Sequence, residues 1–253
     1  MNQRVLVTAG ASGIGREIAR AFAANGARVV VCDIDAKGLD DLVQEIPGVA
    51  TMVCDISKRD DIERMVPFGV NALGGLDVLV NNAGISGPTS PVEDFDPDAW
   101  DKVVQINLNG TFNVTRLAIP HLKKSPAGVI IVMSSVAGRF GYPNRSAYSA
   151  TKWGLIGFTK TLSRELGAFG IRANAILPGA VAGPRIEKVF EGRAKLSGRS
   201  VEEERKAAMA IQSLQRFVDP HDIAALAVFL ASDAGKSISG QMLPIDNDTQ
   251  QAS

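Results

Sequence analysis

The chain of 253 residues carries 27 lysine and arginine side chains against 27 aspartate and glutamate side chains. This balance gives no field that would draw the protein onto nucleic acid or a membrane surface, so we expect a small-molecule partner. No apolar run approaches the ~20 residues of a membrane-spanning helix, and no signal-peptide pattern is visible, so we expect a cytoplasmic protein. An α/β chain of this length commonly folds as one unit, which predicts a single domain over residues 1–253.

Short apolar runs rich in valine and isoleucine alternate with longer amphipathic segments along the chain. This alternation is typical of βαβ units and predicts an α/β fold, a doubly wound parallel sheet with helices on both faces. The predicted strands are Arg4–Thr8, Arg28–Cys32, Ala50–Cys54, Leu76–Asn81, Gly128–Ser134, Arg172–Leu177 and Gln241–Pro244. The predicted helices are Ile14–Asn25, Ala36–Ile46, Arg59–Leu73, Asp96–Lys123, Ala147–Phe169 and Asp222–Ala231.

One stretch breaks this rhythm, between Gly179 and Gln215, where glycine, proline and charged residues lead into the helix-like VEEERKAAMAIQSLQRF. Long inserts of this kind often cover active sites. We therefore expect residues from about 180 to 216 to form a lid over the substrate.

Glycines follow the first predicted strand, where N–H groups at the start of a helix can approach a pyrophosphate. They are Gly10, Gly13 and Gly15. The second strand ends at Asp33, whose carboxylate can bind an adenosine ribose diol and would repel a 2′-phosphate. Ser12 is neutral where a basic residue could grip that phosphate, so NAD is preferred over NADP, with dual use left open by Arg16. The alternative is a tight helix-packing turn with Asp33 as a solvated strand end.

Polar groups recur where the third and fourth strands end. The residues concerned are Asp55, Ile56, Asn82, Ala83 and Gly84. The carboxyl edge of an open parallel sheet is where such folds bind ligands, so these positions extend the predicted nucleotide site.

Tyr148 and Lys152 are spaced to share one helix face, and Ser135 follows the fifth strand. A tyrosine, with an ordinary pKa near ~10, needs a cation beside it to act as a base near neutrality, and Lys152 would supply that cation. Ser135 could hold the substrate oxygen while the phenol moves the proton. The alternative is a buried aromatic residue beside a solvated lysine. Tyr142 has Ser146 at the equivalent spacing and is expected to lack a cationic partner.

Six ordered motifs together resemble the short-chain dehydrogenase/reductase family: TAGASGIG, NNAG, QINLNG, SSVAG, YSATK and a PG pair at 178–179. The resemblance implies a single-domain Rossmann-type fold with seven strands, usually a homotetramer, and a catalytic tetrad of Asn107, Ser135, Tyr148 and Lys152. In that scheme Asn107 distorts its helix and holds a water of the proton relay, and Lys152 also binds the nicotinamide ribose.

The motifs and strand ends together predict a cofactor site. It comprises Gly10, Ser12, Gly13, Ile14, Gly15, Asp33, Asp55, Ile56, Asn82, Ala83, Gly84, Tyr148, Lys152, Pro178, Gly179 and Val181.

Three positions depart from the family pattern. Ala9 replaces a glycine, which matters only if that position needs a positive φ. Gly183 replaces a threonine that often steadies the cofactor, so looser or differently organised contacts are expected. The tail PIDNDTQQAS lacks the glycine pair that commonly follows the aspartate, a change for which the sequence offers no interpretation.

The predicted substrate pocket combines Ser135 and Tyr148 with Arg139 and Tyr142, and Arg185 of the insert could fork onto an anionic group. The alternative for the insert is a solvated helix face, because glutamates balance its cations.

The two cysteines, Cys32 and Cys54, follow strand-like runs and are expected to be inert packing residues rather than a disulfide. His121 and His221 have no ligands at metal-binding spacing, so no metal site is expected.

The sequence predicts an NAD-dependent oxidoreductase that moves a hydride between a secondary alcohol, of the sugar, polyol or hydroxy acid type, and its ketone. An NAD(P)H-dependent ketone or 3-oxoacyl reductase is the alternative within this class. A catalytically silent NAD(H)-binding regulator is the alternative from another class.

Overall fold

The computed structural model describes residues 2–251, which build a sheet of seven parallel strands in the order β3-β2-β1-β4-β5-β6-β7. The predicted doubly wound fold is therefore confirmed. The strands are β1 Arg4–Thr8, β2 Arg28–Asp33, β3 Ala50–Val53, β4 Val78–Asn81, β5 Val129–Met133, β6 Arg172–Pro178 and β7 Met242–Ile245. In the central register Val5 of β1 lies opposite Val29 of β2 and Val78 of β4.

Residues 2–251 form nine α-helices. They are α1 Gly13–Ala24, α2 Ala36–Glu45, α3 Arg59–Leu73, α4 Pro97–Val104, α5 Thr111–Leu122, α6 Ser146–Leu166, α7 Pro184–Ser197, α8 Val201–Ala210 and α9 Pro220–Ala231. Helices α1, α2 and α9 pack an apolar core on one face of the sheet, and α3, α5 and α6 pack another on the opposite face. Burial on both faces explains why the central strands read as unbroken runs of valine, leucine and isoleucine.

Two helix predictions need correction. The segment expected as one helix over Asp96–Lys123 is divided by a π-helical turn, Gln105–Gly110, between α4 and α5. The insert contains a second helix, α7, which its glycine, proline and charge content concealed. Helix α7 starts in the way the sequence permits, with Pro184 in its first turn, where the missing N–H costs nothing.

Cys32 and Cys54 are buried free thiols. The Cys54 side chain, together with burial, raises the pKa of Cys32 well above its ordinary value. Within residues 2–251, no three histidine, cysteine, aspartate or glutamate side chains are grouped so that they could hold a metal ion. No helix in this described range has the length and apolar character required to cross a bilayer.

Candidate active site

The turn after β1 and the end of β4 are joined by side-chain hydrogen bonds. The hydroxyl oxygen of Thr8 accepts from the backbone N–H groups of Asn82 at 3.0 Å and Ala83 at 3.1 Å. The amide nitrogen of Asn82 donates to the carbonyl oxygens of Thr8 and Ala9, at 3.1 and 2.9 Å. The predicted nucleotide turn and the NNAG motif therefore form one rigid edge.

Within that turn, Ala9 adopts the left-handed conformation with φ +52°, so the condition under which its missing glycine matters is met. At Gly15 the turn has no room for a side chain, because a β-carbon would lie 2.2 Å from the Ala9 carbonyl oxygen. Gly13 has φ +53°, and none of the described atoms lies within 4 Å of the place that its β-carbon would occupy. Backbone at Gly13 can therefore be approached closely by a ligand.

Asp33 is held at the same edge, where one carboxylate oxygen accepts from the Ala11 N–H at 3.0 Å and the other from the Asp35 N–H at 3.1 Å. Arg16, the residue that left NADP open, forms an ion pair with Glu45 and donates to the Ala11 carbonyl oxygen at 3.2 Å. The Arg16 guanidinium is thus already paired with a carboxylate.

The other predicted cofactor positions lie on neighbouring strand ends. Asp55 follows β3. Burial raises the pKa of its carboxyl group, but hydrogen bonds from Ser57 outweigh this effect, so the pKa lies below its ordinary value. Ile56 beside it is 8% exposed. Pro178 ends β6, and the N–H of Gly179 donates to Ile245 of β7 at 3.0 Å.

Lys152, one of the predicted catalytic residues, reaches from α6 to the end of β5. Its ammonium group is buried, donates to the Met133 carbonyl oxygen at 2.7 Å and lies 5.6 Å from the centre of the Tyr148 ring. Burial, reinforced by the charge of Arg185, lowers the pKa of Lys152 to about 7. The Ser135 oxygen accepts from the Ala137 N–H at 3.1 Å, an arrangement that leaves its own O–H available to donate.

Asn107 lies in the π-helical turn, fully buried. Its carboxamide accepts from the Ile85 N–H at 2.7 Å and donates to the Ile85 carbonyl oxygen at 2.9 Å and the Thr151 hydroxyl at 3.1 Å. A β-carbon at Gly84 would lie 3.1 Å from the Asn107 side-chain oxygen and 3.5 Å from the Lys152 nitrogen. The NNAG glycine thus marks the point where these two predicted tetrad members approach each other.

The structure brings Tyr142 to the site, with its ring 6.4 Å from that of Tyr148 in an edge-to-face arrangement. The expectation that Tyr142 lacks a cationic partner is wrong, because the spacing considered only its own segment. Arg193 of α7 donates to its hydroxyl group, and the Arg145 guanidinium carbon lies 5.6 Å from its ring centre.

Arg185 also reaches the site, donating to the Gly84 carbonyl oxygen at 3.2 Å with its guanidinium carbon 5.9 Å from the Tyr148 ring centre. Arg139 is not brought to the tyrosines: it is exposed and lies over Phe140. Sequence reasoning missed Arg145, which is 3% exposed and lies 5.5 Å from the Tyr148 ring centre. Its position three residues before Tyr148 was the available signal.

The two remaining departures from the family pattern have conformational explanations. Gly183 has φ 137° and ψ 177°, a region that only glycine occupies readily, so a threonine side chain would be strained there. Asn247 and Asp248 have φ +57° and +56° at the positions of the usual glycine pair, and Asn and Asp tolerate this conformation best after glycine. The Asn247 amide donates to the Arg216 carbonyl oxygen at 2.6 Å, tying the tail to the end of the insert.

Comparison with known proteins agrees with this geometry. A family model described as Enoyl-(Acyl carrier protein) reductase matches residues 8–247. The chain is 40% identical to a 3-oxoacyl-[acyl-carrier-protein] reductase of Thermotoga maritima over 245 residues, and 40% identical to a D-beta-hydroxybutyrate dehydrogenase of Cupriavidus necator over 247 residues. Each alignment covers 95% of both chains. A crystal structure of levodione reductase superposes with a TM-score of 0.91 at 33% identity, covering 98% of this chain and 97% of the other.

The chain belongs to the short-chain dehydrogenase/reductase family. It is an oxidoreductase that acts on the CH–OH group of secondary alcohols and on the corresponding ketones, with a nicotinamide cofactor.

Proposed function

We propose that this protein is an NAD-dependent dehydrogenase of a small secondary alcohol in which Tyr148 transfers the proton. One observation carries the proposal: the buried ammonium of Lys152 lies 5.6 Å from the Tyr148 ring centre, on the same face of α6. An amine with a pKa of about 7 can take up and release protons near neutrality, as a proton relay requires.

The other polar groups complete the site. Ser135 donates its O–H to the substrate oxygen and Tyr148 takes the proton from an alcohol or returns it to a ketone. Asn107 positions the Ile85 backbone and the Thr151 hydroxyl, and the π-helical turn frees the local backbone from the regular hydrogen-bond pattern, a feature frequent at functional sites. When bound, the nicotinamide cofactor accepts the hydride of the alcohol or supplies it to the ketone.

The preference for NAD rests on Asp33 and Arg16. The open backbone at Gly13 fits a pyrophosphate, and the Asp33 carboxylate at the same edge fits an unmodified ribose diol. A 2′-phosphate would meet the charge of Asp33, while Arg16, which could offset it, is paired with Glu45. Pro178, Gly179 and Val181 would line the opposite side of the cofactor.

The wider architecture forms part of the same proposal. One domain spans residues 1–253, and residues from about 180 to 216, containing α7 and α8, serve as the substrate lid. Exposed aromatic side chains suit a homotetramer, because they would be covered by subunit contacts. They include Phe112, Trp153, Phe169 and Phe229. We place the enzyme in the cytoplasm, as the sequence predicts.

The test has two steps. Purified protein is first titrated with NADH and with NADPH by fluorescence, and a panel of sugars, polyols and hydroxy acids is then assayed with NAD for reduced cofactor. We expect NADH to bind at least about tenfold more tightly than NADPH, and Asp33→Asn to remove most of that difference, because a charge-assisted hydrogen bond contributes about 1.5–3 kcal/mol. Failure to bind either dinucleotide would overturn the proposal. Light scattering and cell fractionation test the tetramer and the compartment.

A further inference from the structure

Arg145 is a buried cation whose partners are all neutral. The side chain is 3% exposed and donates to the Ser86 carbonyl oxygen at 3.2 Å and, at a longer 3.4 Å, to the Thr89 hydroxyl. Its third nitrogen, Nε, is buried and has no hydrogen-bond partner in the described residues. Within residues 2–251, Arg145 forms no ion pair with an acidic side chain.

Two further arginines lie close to Arg145 and to the tyrosines beside it. Its guanidinium carbon lies 5.5 Å from the Tyr148 ring centre, and the guanidinium carbon of Arg185 lies 5.9 Å from that same ring. Arg193 lies over the Tyr142 ring at 5.4 Å. Burial lowers the pKa of Arg145 and is the largest cause; Tyr142 and Tyr148 oppose this shift, and the charges of Arg193 and Arg185 add to it.

This arrangement is costly for the protein alone. A buried charge is normally paired, and the faces of two tyrosines compensate only part of its lost hydration. An anion held against the Arg145 guanidinium would supply the missing counter-charge and offset the repulsion between Arg145 and the nearby arginines. Because Tyr148 is the proposed proton-transfer residue, an anion at this place is part of the reacting molecule.

Space for the carboxylate end of such a molecule adjoins Arg145. A cavity of about 290 Å³ opens between the loop after β4 and helix α7, and Arg145, Lys188 and Lys195 contribute three cations to its wall against the single carboxylate of Glu191. Ser86, Gly87 and Thr89 form the facing wall.

We infer that the substrate is a short hydroxy acid, or the matching oxo acid, whose carboxylate is bound by Arg145 while its hydroxyl group lies against Ser135 and Tyr148. Arg185 and Arg193 of α7 strengthen the same positive site from the lid. The small separation of the Arg145 guanidinium from the Tyr148 ring selects acids in which the carboxylate is close to the reacting carbon. This inference rests on the proposed function and specifies its substrate class.

The test compares an acid with its neutral counterpart. Wild type, Arg145→Met and Arg145→Lys are assayed with NAD and unbranched 2- and 3-hydroxy acids, and in parallel with their methyl esters. Arg164→Met is the matched control, because Arg164 lies on α6 but is exposed and remote from the tyrosines. NADH titration of every variant verifies that the fold and cofactor site persist.

We expect wild type to prefer the acid, and Arg145→Met to lower kcat/KM for the acid by roughly 100-fold, mainly through KM, with little change for the ester. Arg145→Lys should recover part of the loss, and Arg164→Met should match wild type. Equal losses on acid and ester would assign Arg145 a structural role and overturn the inference. Wild-type turnover of esters or other neutral alcohols without turnover of acids would also overturn it while the proposed function stands. Loss of dinucleotide binding in wild type would instead defeat the proposed function itself.

Discussion

The ammonium group of Lys152 is buried at the end of β5, where it donates a hydrogen bond of 2.7 Å to the carbonyl oxygen of Met133. Among residues 2–251, one neutral acceptor and the nearby Tyr148 ring replace the hydration that this amine has in the unfolded chain. The folded protein therefore favours the uncharged amine, and its pKa falls from 10.5 to about 7.

This shift makes the stability of the cofactor-free protein depend on pH. Between the folded and unfolded pKa values the unfolded chain binds the extra proton, so the free energy of unfolding rises with pH in that window. Between about pH 7 and about pH 10, we expect the free energy of unfolding of the wild type to rise relative to that of Lys152→Met, by up to about 1.4 kcal/mol per pH unit. Urea unfolding of both proteins measures this difference. Lys160→Met, which removes an exposed lysine of the same helix, is the control and should follow the wild type. The burial argument would be contradicted if the stabilities of wild type and Lys152→Met changed in parallel with pH.

The strained turn at Ala9 predicts a stabilising substitution. An L-residue at positive φ costs about 1–2 kcal/mol, and Ala9→Gly removes that cost while adding some freedom to the unfolded chain. We expect a net gain of about 0.5–1 kcal/mol in the free energy of unfolding, measured by urea denaturation. Ala11→Gly in the same turn, where φ is not positive, should destabilise the protein. Equal effects of the two substitutions would remove conformational strain as the explanation.

Replacing Gly183 with threonine, the residue that often occupies this position in the family, should destabilise the protein. With φ 137° and ψ 177°, Gly183→Thr forces a branched side chain into a region that costs about 1–3 kcal/mol. We expect a lower Tm and no tighter NADH binding. Ala182→Thr at the exposed neighbouring position should leave Tm nearly unchanged. Tighter NADH binding by Gly183→Thr at an unchanged Tm would show that only a hydroxyl group was lacking.

The strands and the nucleotide turn could be predicted because their causes are local. Doubly buried strands require apolar β-branched residues, and the turn between β1 and α1 requires small residues. The π-helical turn at Gln105–Gly110 could not be predicted from apolar spacing, which is compatible with a continuous helix; only the family resemblance implied a distortion at Asn107. Helix α7 was concealed by a composition that also suits a loop.

The chemistry of the site divides in the same way. Tyr148 and Lys152 are one helical turn apart, so their proximity follows from the sequence alone. The spacing of Arg145 and Tyr148 places them near each other, but the hydrogen bonds of Arg145 to Ser86 and Thr89 are long-range contacts. The contact of Arg193 with Tyr142 is also long-range and has no local pattern. The positive φ of Asn247 and Asp248 likewise became interpretable only when the backbone conformation was known.

The most direct test of the central claim is turnover by Tyr148→Phe, which removes only the hydroxyl group. With NAD and the best substrate of the panel, we predict that formation of reduced cofactor falls by at least about 100-fold while the fluorescence titration with NADH is unchanged, because general acid–base catalysis contributes roughly 10²–10⁴-fold. Turnover by Tyr148→Phe at the wild-type rate, with NADH still bound, would contradict the assignment of the proton transfer to Tyr148.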